Sequence, residues 1–549
     1  MSEQASVGPL VDVRVLDLAD EPGAYCTKLL ADLGADVIKV EPPGGDPTRR
    51  FGPFFEDRPG PDTSLWFWYH NTNKRSVVLD LDTPTGQAAL RDLGAGADVL
   101  VETYPVGHLA DRGLGYEALR ERNPRLIQTS ITPFGQMGPR AGWAGNDLIA
   151  WATGGVATVC GDTGRPPLRG PLGQANILAS EYGMVATLAA LCHQRRTGEG
   201  QAIDVSMQEA CLIHSESVLL FYQYWRMFVQ RVGRGQHAMA VPILAARNKD
   251  GFTQAITYSR AQWDSLVAWM DNVGMAGDLT EERWLDPMVR FQNRAHVHGL
   301  IDAFAAQFEK QDFFAEAQRC HLAFGAIQRP DEVVSDAGLN ARRYFVEVDT
   351  PAGRRLFPGA PYRFSETPWA IRSPAPALPG GVSGTGARVP AGVNDHIEWR
   401  PRPDASSPNP LSLGEGVADA PDTATKNAPQ KAGAGSPTPS RGPLAGLRIL
   451  DFSWVIAGPF ATMLLADLGA DVVKVEAPGV GDVLRAQPPL DTRGSAPNNG
   501  AVWNVLNRGK RSITINFKHP AGRDLSRRLA ATADVVIENF SPGTFERLI

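Results

Sequence analysis

Apolar positions along residues 13–132 switch between a short-run pattern and a helical one. VRVLDLAD (13–20) is a compact apolar run bounded by polar residues and reads as a strand. PGAYCTKLLADLGA follows with helical spacing and stops at Gly34. DVIKVEPP, SVVLDL, DVLVETY and LIQTSITPFG read as four further strands, and PTGQAALRDLGAGA as a helix with Pro84 near its start. Strands alternating with helices predict a parallel α/β sheet. From about 184 to 230 the pattern is largely helical and apolar, and GFTQAIT starts a new strand after the turn at Lys249–Gly251. Residues 260–325 look helical, and DAFAAQFEKQDFFAEAQRC is the clearest amphipathic stretch; Trp263 and Trp269, at helical spacing, are read as core.

The first pattern returns late in the chain. LADLGADVIKV (30–40) and LADLGADVVKV (465–475) differ only at Ile38 against Val473. Leu10 aligns with Leu444, an offset of 434 (444 − 10); Lys74 and Arg75 align with Lys510 and Arg511, an offset of 436 (510 − 74). So small a drift indicates a duplicated domain, and the period is far too long for a solenoid repeat. Between the copies, residues 401–442 are dense in Pro, Ala, Ser and Gly and nearly free of aromatics. Such a segment buries too little apolar surface to offset its ordering entropy and is expected to be a disordered linker, spanning roughly 35 Å. The second copy ends at Ile549, where the first continues for almost three hundred residues, so a fragment of a longer two-copy protein is expected. The predicted architecture is an α/β Rossmann-like large domain (8–225), a smaller α+β domain (226–330), a return to the large domain (331–400), the linker (401–442) and a partial second large domain (443–549).

Composition narrows the function classes. The 549 residues carry a net charge of −6, which argues against a general nucleic-acid binder. A local basic pocket for a small anion stays open. The five cysteines, Cys26, Cys160, Cys192, Cys211 and Cys320, form no CxxC pair, so neither a zinc site nor a dithiol centre is expected. His193, His214, His296 and His298 lack metal-like companions, so no metal is predicted. The start MSEQASVGPL has no signal-peptide pattern, and the apolar run near Met184–Cys192 is too short to span a bilayer, so a cytoplasmic chain without membrane contact is expected. The first strand–helix–strand unit ends on Glu41, where a ribose-binding acid would sit, but neither ADEPGAYC nor SWVIAGPFA is a GxGxxG turn. A nicotinamide dinucleotide is therefore not expected.

LLADLGADVIKVEPPGGD, NTNKRSVVLDLDTPTG, ITPFGQMGP, LAALCHQRRTGEGQAIDVSMQEA and PGAPYRFSETP in the first copy, with LRILDFSWVIAGPFATMLLADLGADVVKVEAPGVGD, NRGKRSITINFKHPAG and VVIENFSPGTFERL in the second, resemble the family III CoA-transferases. That group includes formyl-CoA transferase, carnitine CoA-transferase and α-methylacyl-CoA racemase. The resemblance covers residues 10–400 and 444–549. It implies a Rossmann-like large domain with a smaller one, assembled as interlocked chains or, here, as an internal pseudo-dimer. It also implies acyl-CoA and a carboxylic acid as substrates, with no tightly bound cofactor.

The resemblance further implies an aspartate nucleophile that forms an acyl–enzyme anhydride. Asn176 in PLGQANILASEYG occupies the expected position, and a neutral amide is a poor nucleophile. Gly145-Asn146-Asp147 stands where the racemase branch carries its histidine. The first copy is therefore expected to be catalytically degenerate, and the nucleophile of the second would lie beyond Ile549. Lys474, Lys510, Arg511 and Arg547 are implied as contacts for the CoA phosphates, with Asn539 and Phe540 lining the groove and Lys39, Lys74 and Arg75 as first-copy equivalents. Gly235-Gln236-His237 is a candidate active-site loop. A CoA-binding scaffold without catalysis, and a racemase or transferase-lyase, are the alternatives.

Overall fold

A computed structural model describes residues 8–378, 397–402 and 442–548, apart from 215, 232, 234–240, 480, 492, 495 and 496. The expected linker falls almost wholly outside the described residues, as does the Gly235-Gln236-His237 loop.

Six strands build the first sheet: β1 (Arg14–Leu18), β2 (Asp36–Glu41), β3 (Lys74–Val78), β4 (Val99–Glu102), β5 (Ile127–Thr132) and β6 (Ala202–Ser206). They run in the order β3-β2-β1-β4-β5-β6, with every pairing parallel. Five of them sit on predicted strands. β6 was not anticipated; it interrupts the apolar stretch read as helical after 184, and AIDVS carries too few apolar residues to announce a strand. Both faces of β1 and β2 are buried, as a parallel sheet covered by helices requires.

A three-stranded antiparallel sheet follows, from β7 (Ile243–Arg247), β8 (Phe252–Ile256) and β9 (Gly325–Ala326). Helices Arg260–Asn272, Arg294–Ala305 and Lys310–Arg319 cover it, and Trp263 and Trp269 lie in its core with Phe304 and Phe313. The chain then forms a hairpin of β10 (Phe345–Thr350) and β11 (Gly353–Pro358). It returns to the large sheet, where the Ala370 N–H donates to the Asp32 carbonyl at 3.1 Å and the Trp399 indole to the Leu93 carbonyl at 3.1 Å.

The second copy contributes β12 (Arg448–Asp451), β13 (Asp471–Glu476), β14 (Arg511–Thr514) and β15 (Val535–Ile537), parallel in the order β14-β13-β12-β15. This repeats the β3-β2-β1-β4 half of the first sheet. The repeated phrase is thus one structural unit, a helix (Ala24–Asp32 or Ala457–Asp467), its stop and the next strand. The stop is glycine in both because the backbone turns to positive φ there, 111° at Gly34 and 98° at Gly469.

The helix Gln174–Thr197 joins the copies. Ala175, Ala179, Ala190 and Leu191 face the first core, while Ala189 and Cys192 pack on Leu444, Ile449, Ala470 and Val472 of the second. Its 24 residues are long and apolar enough to cross a membrane by length and composition, which the shorter apolar run read from sequence concealed; here it is a core helix between two sheets. Nearby, the Trp225 indole donates to the Leu490 carbonyl at 3.1 Å, and His214 packs 6.0 Å from Phe460.

Ala189→Glu places a carboxylate in this shared core without a partner, at a cost of about 1–3 kcal/mol. Amide exchange in β12 and β13 is expected to accelerate while that in β2 and β3 stays slow, measured by hydrogen exchange with mass spectrometry.

Candidate functional site

Each copy buries one aspartate between two lysines. In the first copy, Asp17 at the end of β1 meets the Lys74 ammonium at 2.8 Å and the Lys39 ammonium at 3.8 Å; all three side chains are essentially inaccessible. Thr27 donates to Asp17 at 2.9 Å, the Ala19 N–H at 3.0 Å, and Lys39 donates to the Ala19 carbonyl at 2.7 Å. The second copy repeats the set. Lys510 lies 3.1 Å and Lys474 3.9 Å from Asp451, Thr462 donates at 2.7 Å and the Ser453 N–H at 2.9 Å. A second clamp is duplicated alongside: Arg49 grips Glu41 through 2.6 and 2.7 Å contacts, and Arg485 grips Glu476 through 2.8 and 2.5 Å contacts.

These cations are already neutralised. Burial pulls the Lys39 ammonium down, but Asp17, Asp46 and Glu41 outweigh it and raise its pKa. Burial dominates at Lys74 and Lys510, which fall to about 8 despite their aspartates. At Asp451, burial pushes the carboxyl up, yet Lys474 and Lys510 hold it below its ordinary value. Lys39, Lys74, Lys474 and Lys510 therefore occupy interior positions and hold strands together. Arg75 and Arg511 sit elsewhere again, at the amino-terminal ends of their strands, paired with Asp36 at 2.7 Å and Asp471 at 2.6 Å. Ligands of open α/β sheets bind at the opposite, carboxyl-terminal edge. Glu41, held by Arg49, is a clamp rather than a free acid.

At the carboxyl-terminal edge the copies differ. In the first, a cavity of about 210 Å³ opens over β1–β4. Its lining includes Asp20, Asp46, Asp80 and Asp82 and contains no lysine or arginine. Tyr104 stacks on His108 at 4.3 Å, and Thr103 donates to Asp20 at 2.6 Å. In the second copy, Asn539 ties down the turn after β12: its Oδ1 accepts from the Trp454 N–H at 2.8 Å and its Nδ2 donates to the Trp454 carbonyl at 2.8 Å. Phe540 packs between Trp454 and Phe545, and Arg547 stands exposed on the helix Thr544–Leu548, donating to Thr544 Oγ1 at 3.0 Å. The structure thus brings Asn539, Phe540 and Arg547 to one edge. It leaves Arg511 at the other and sets Lys474 and Lys510 beneath.

Asn176 lies in the first turn of the helix Gln174–Thr197 and is only 6% exposed. Asp147 caps that helix, accepting from the Ala175 N–H at 2.8 Å and the Asn176 N–H at 3.3 Å. The turn before the helix Ala24–Asp32 approaches from the other side, pinned by Ser180, which donates to the Pro22 carbonyl at 2.7 Å. Gly23 lets that turn lie against the ends of its own sheet, since a Cβ there would meet the Ala19 methyl at 2.7 Å and Thr103 Cγ2 at 2.9 Å. Burial raises the Glu21 carboxyl above its ordinary value, the neighbouring Asp147 and Asp20 add to that rise and Asn176 opposes it. The copies differ at this turn, EPG against IAG, which puts Glu21 and Ile456 each two residues before the glycine.

The family description "CoA-transferase family III" matches residues 10–381 and 444–549, and the chain belongs to that family. It is 34% identical over 375 residues to succinyl-CoA:(R)-benzylsuccinate CoA-transferase subunit BbsE of Thauera aromatica, covering 66% of this chain and 90% of that protein. It is also 34% identical to succinate–glutarate CoA-transferase of Agrobacterium fabrum, covering 67% and 93%. The probable CoA-transferase Rv1866 of Mycobacterium tuberculosis is 28% identical over 547 residues, which cover 97% of this chain but 62% of that one. Among solved structures, a CAIB/BAIF family protein from Brucella suis superposes with a TM-score of 0.61 at 30% identity, over 68% of this chain and 97% of its own.

Removing the buried aspartate leaves two lysines facing each other in the interior. Asp17→Ala and Asp451→Ala are each expected to cost about 3–5 kcal/mol, read from denaturant unfolding of the full chain. Because the Asp451 pKa is depressed by folding, its contribution is complete above the ordinary aspartate value and lost as pH falls through the depressed one. Unchanged stability with weaker CoA binding would instead make these groups ligands.

Proposed function

We propose that this chain takes part in moving CoA from one carboxylic acid to another, with the two copies contributing unequally. Membership of the family and the names of the relatives support the reaction class. The observation that carries the inequality is the contrast at the carboxyl-terminal edges. The first copy presents an acidic cleft there, with Asp20 and Asp80 beside the paired Asp46 and Asp82, and an amide, Asn176, at the expected nucleophile position. The second presents Asn539, Phe540 and the exposed Arg547.

CoA carries a diphosphate and a 3′-phosphate. A cleft lined by carboxylates and by no lysine or arginine disfavours such a ligand even with Asp46 paired to Lys39 and Asp82 to Arg112, whereas an exposed guanidinium can form forked contacts with it. On this reading the second copy holds CoA, and the first is degenerate with respect to an aspartyl anhydride. The succinyl-CoA named for the Thauera relative makes a dicarboxylic acyl donor the first to test. A non-catalytic CoA-binding role is the second reading, favoured by Asn176 itself.

Incubating the full chain with succinyl-CoA and isotopically labelled carboxylic acids separates the two. Label appearing in acyl-CoA supports transfer; CoA bound tightly without exchange supports the scaffold. In titrations with CoA, Arg547→Ala is expected to weaken binding by about tenfold, the loss of one charge-assisted hydrogen bond. The first-copy replacement Arg112→Ala is expected to leave binding unchanged. The reverse result would move CoA to the first copy.

A further inference from the structure

Another cavity of the first copy, about 360 Å³, opens where β4, β5 and β6 run side by side. Register places Glu102, Ser130 and Asp204 in one row across these strands. Gln128, two residues before Ser130, lies on the same face. All four line the cavity, and Glu117 stands exposed at its rim. No lysine or arginine lines it, and none of Glu102, Glu117 and Asp204 forms an ion pair among the described residues. This separates it from the cleft over β1–β4, where Lys39 pairs with Asp46 and Arg112 with Asp82. His108 lines both spaces. Burial, and then Arg112, hold its imidazole below the ordinary value, so it brings no positive charge at neutral pH.

Gln128 adds an observation independent of charge. It is 7% exposed, and its Oε1 has no hydrogen-bond partner among the described residues. The Gln136 N–H donates to both Asp204 oxygens at 2.9 Å, yet Gln136 Nε2 is unpartnered as well. Buried polar groups normally find partners, so an acceptor and a donor left open beside one cavity point to a ligand that supplies the complements. Glu102 is buried too and accepts from the Tyr104 N–H at 2.8 Å. Burial raises its carboxyl above the ordinary value, and Asp20 and Asp204 add to the rise; a cation in the cavity would offset both.

A bare metal ion fits this space poorly, since among the described residues no three His, Cys, Asp or Glu side chains are grouped to hold one. Leu109, Ile203 and Met137 make part of the lining apolar, which suits an alkyl stem. The volume lies at the small end of ligand pockets. We propose that this cavity binds a short primary alkylammonium that also carries a hydroxyl or amide oxygen. The ammonium pairs with Glu102 and donates to Gln128 Oε1, with Asp204 and Glu117 adding negative potential, and the neutral oxygen accepts from Gln136 Nε2. The assignment goes beyond CoA transfer and holds whichever copy carries CoA.

Calorimetric titration of the full chain with 5-amino-1-pentanol tests it, with 1-pentanol and 5-hydroxypentanoate as the neutral and anionic counterparts. Saturable binding of the amine is expected, with both counterparts at least about tenfold weaker. Glu102→Gln and Gln128→Leu should each weaken the amine about tenfold, as loss of a charge-assisted hydrogen bond does. Asp80→Asn, in the neighbouring cleft, should leave it unchanged. The unfolding midpoint of unliganded Gln128→Leu should hold or rise, because the substitution removes an acceptor that has no partner. No saturable binding of the amine to the wild-type chain overturns the proposal. So does equal binding of 1-pentanol, or binding lost in Asp80→Asn and kept in Glu102→Gln. A lowered midpoint in Gln128→Leu with amine binding intact makes Gln128 a structural residue and overturns it as well.

Discussion

A carboxylate buried between two ammonium groups sets the constraints on this chain. Ionised groups in an interior cost several kcal/mol each unless paired and hydrogen-bonded. Asp17 meets that demand with Lys74, Thr27 and the Ala19 N–H, and Asp451 with Lys510, Thr462 and the Ser453 N–H. The partners come from three adjacent strands and the helix between two of them. Losing one therefore strands charge in the others. The phrase shared by residues 30–40 and 465–475 supplies one lysine of each set, the helix stop and the strand that carries it.

The frame is common to both copies, and the edge above it is not. Where the second copy anchors its turn with Asn539, the first uses Thr103 and Asp20, and the groups around its cavity are acidic. One side of the shared helix Gln174–Thr197 packs on the second sheet. Its first turn carries Asn176, and Ser180 one turn on holds the Pro22 carbonyl, so one element ties the packing of the copies to the rim of the first. Duplication preserved what the interior cannot lose and let the rim diverge.

Much of the fold was legible because its signals are local. Period, helix stops and the Pro84 start marked five strands of the first sheet. β6 escaped because an exposed edge strand needs little apolar content. The site was less legible, since charge in a sequence does not say which way a side chain points. Lys39, Lys74, Lys474 and Lys510 read as ligands for phosphate, and burial made them partners of aspartate instead. Asn539, Phe540 and Arg547, named through the resemblance, follow β15 in the chain and lie at one edge. Ser180 and Pro22 meet only through the tertiary fold, 158 positions apart (180 − 22).

The most direct measurement is a double-mutant cycle on the buried frame. Asp17→Asn and Lys74→Met, alone and together, would be unfolded in denaturant, with Asp451→Asn and Lys510→Met as the second-copy pair. Coupling of about 1–3 kcal/mol in both cycles is predicted, because removing either partner strands the other. Additivity within about 0.5 kcal/mol in both would show that the lysines are not the aspartates' partners, and the duplicated frame would lose its physical basis.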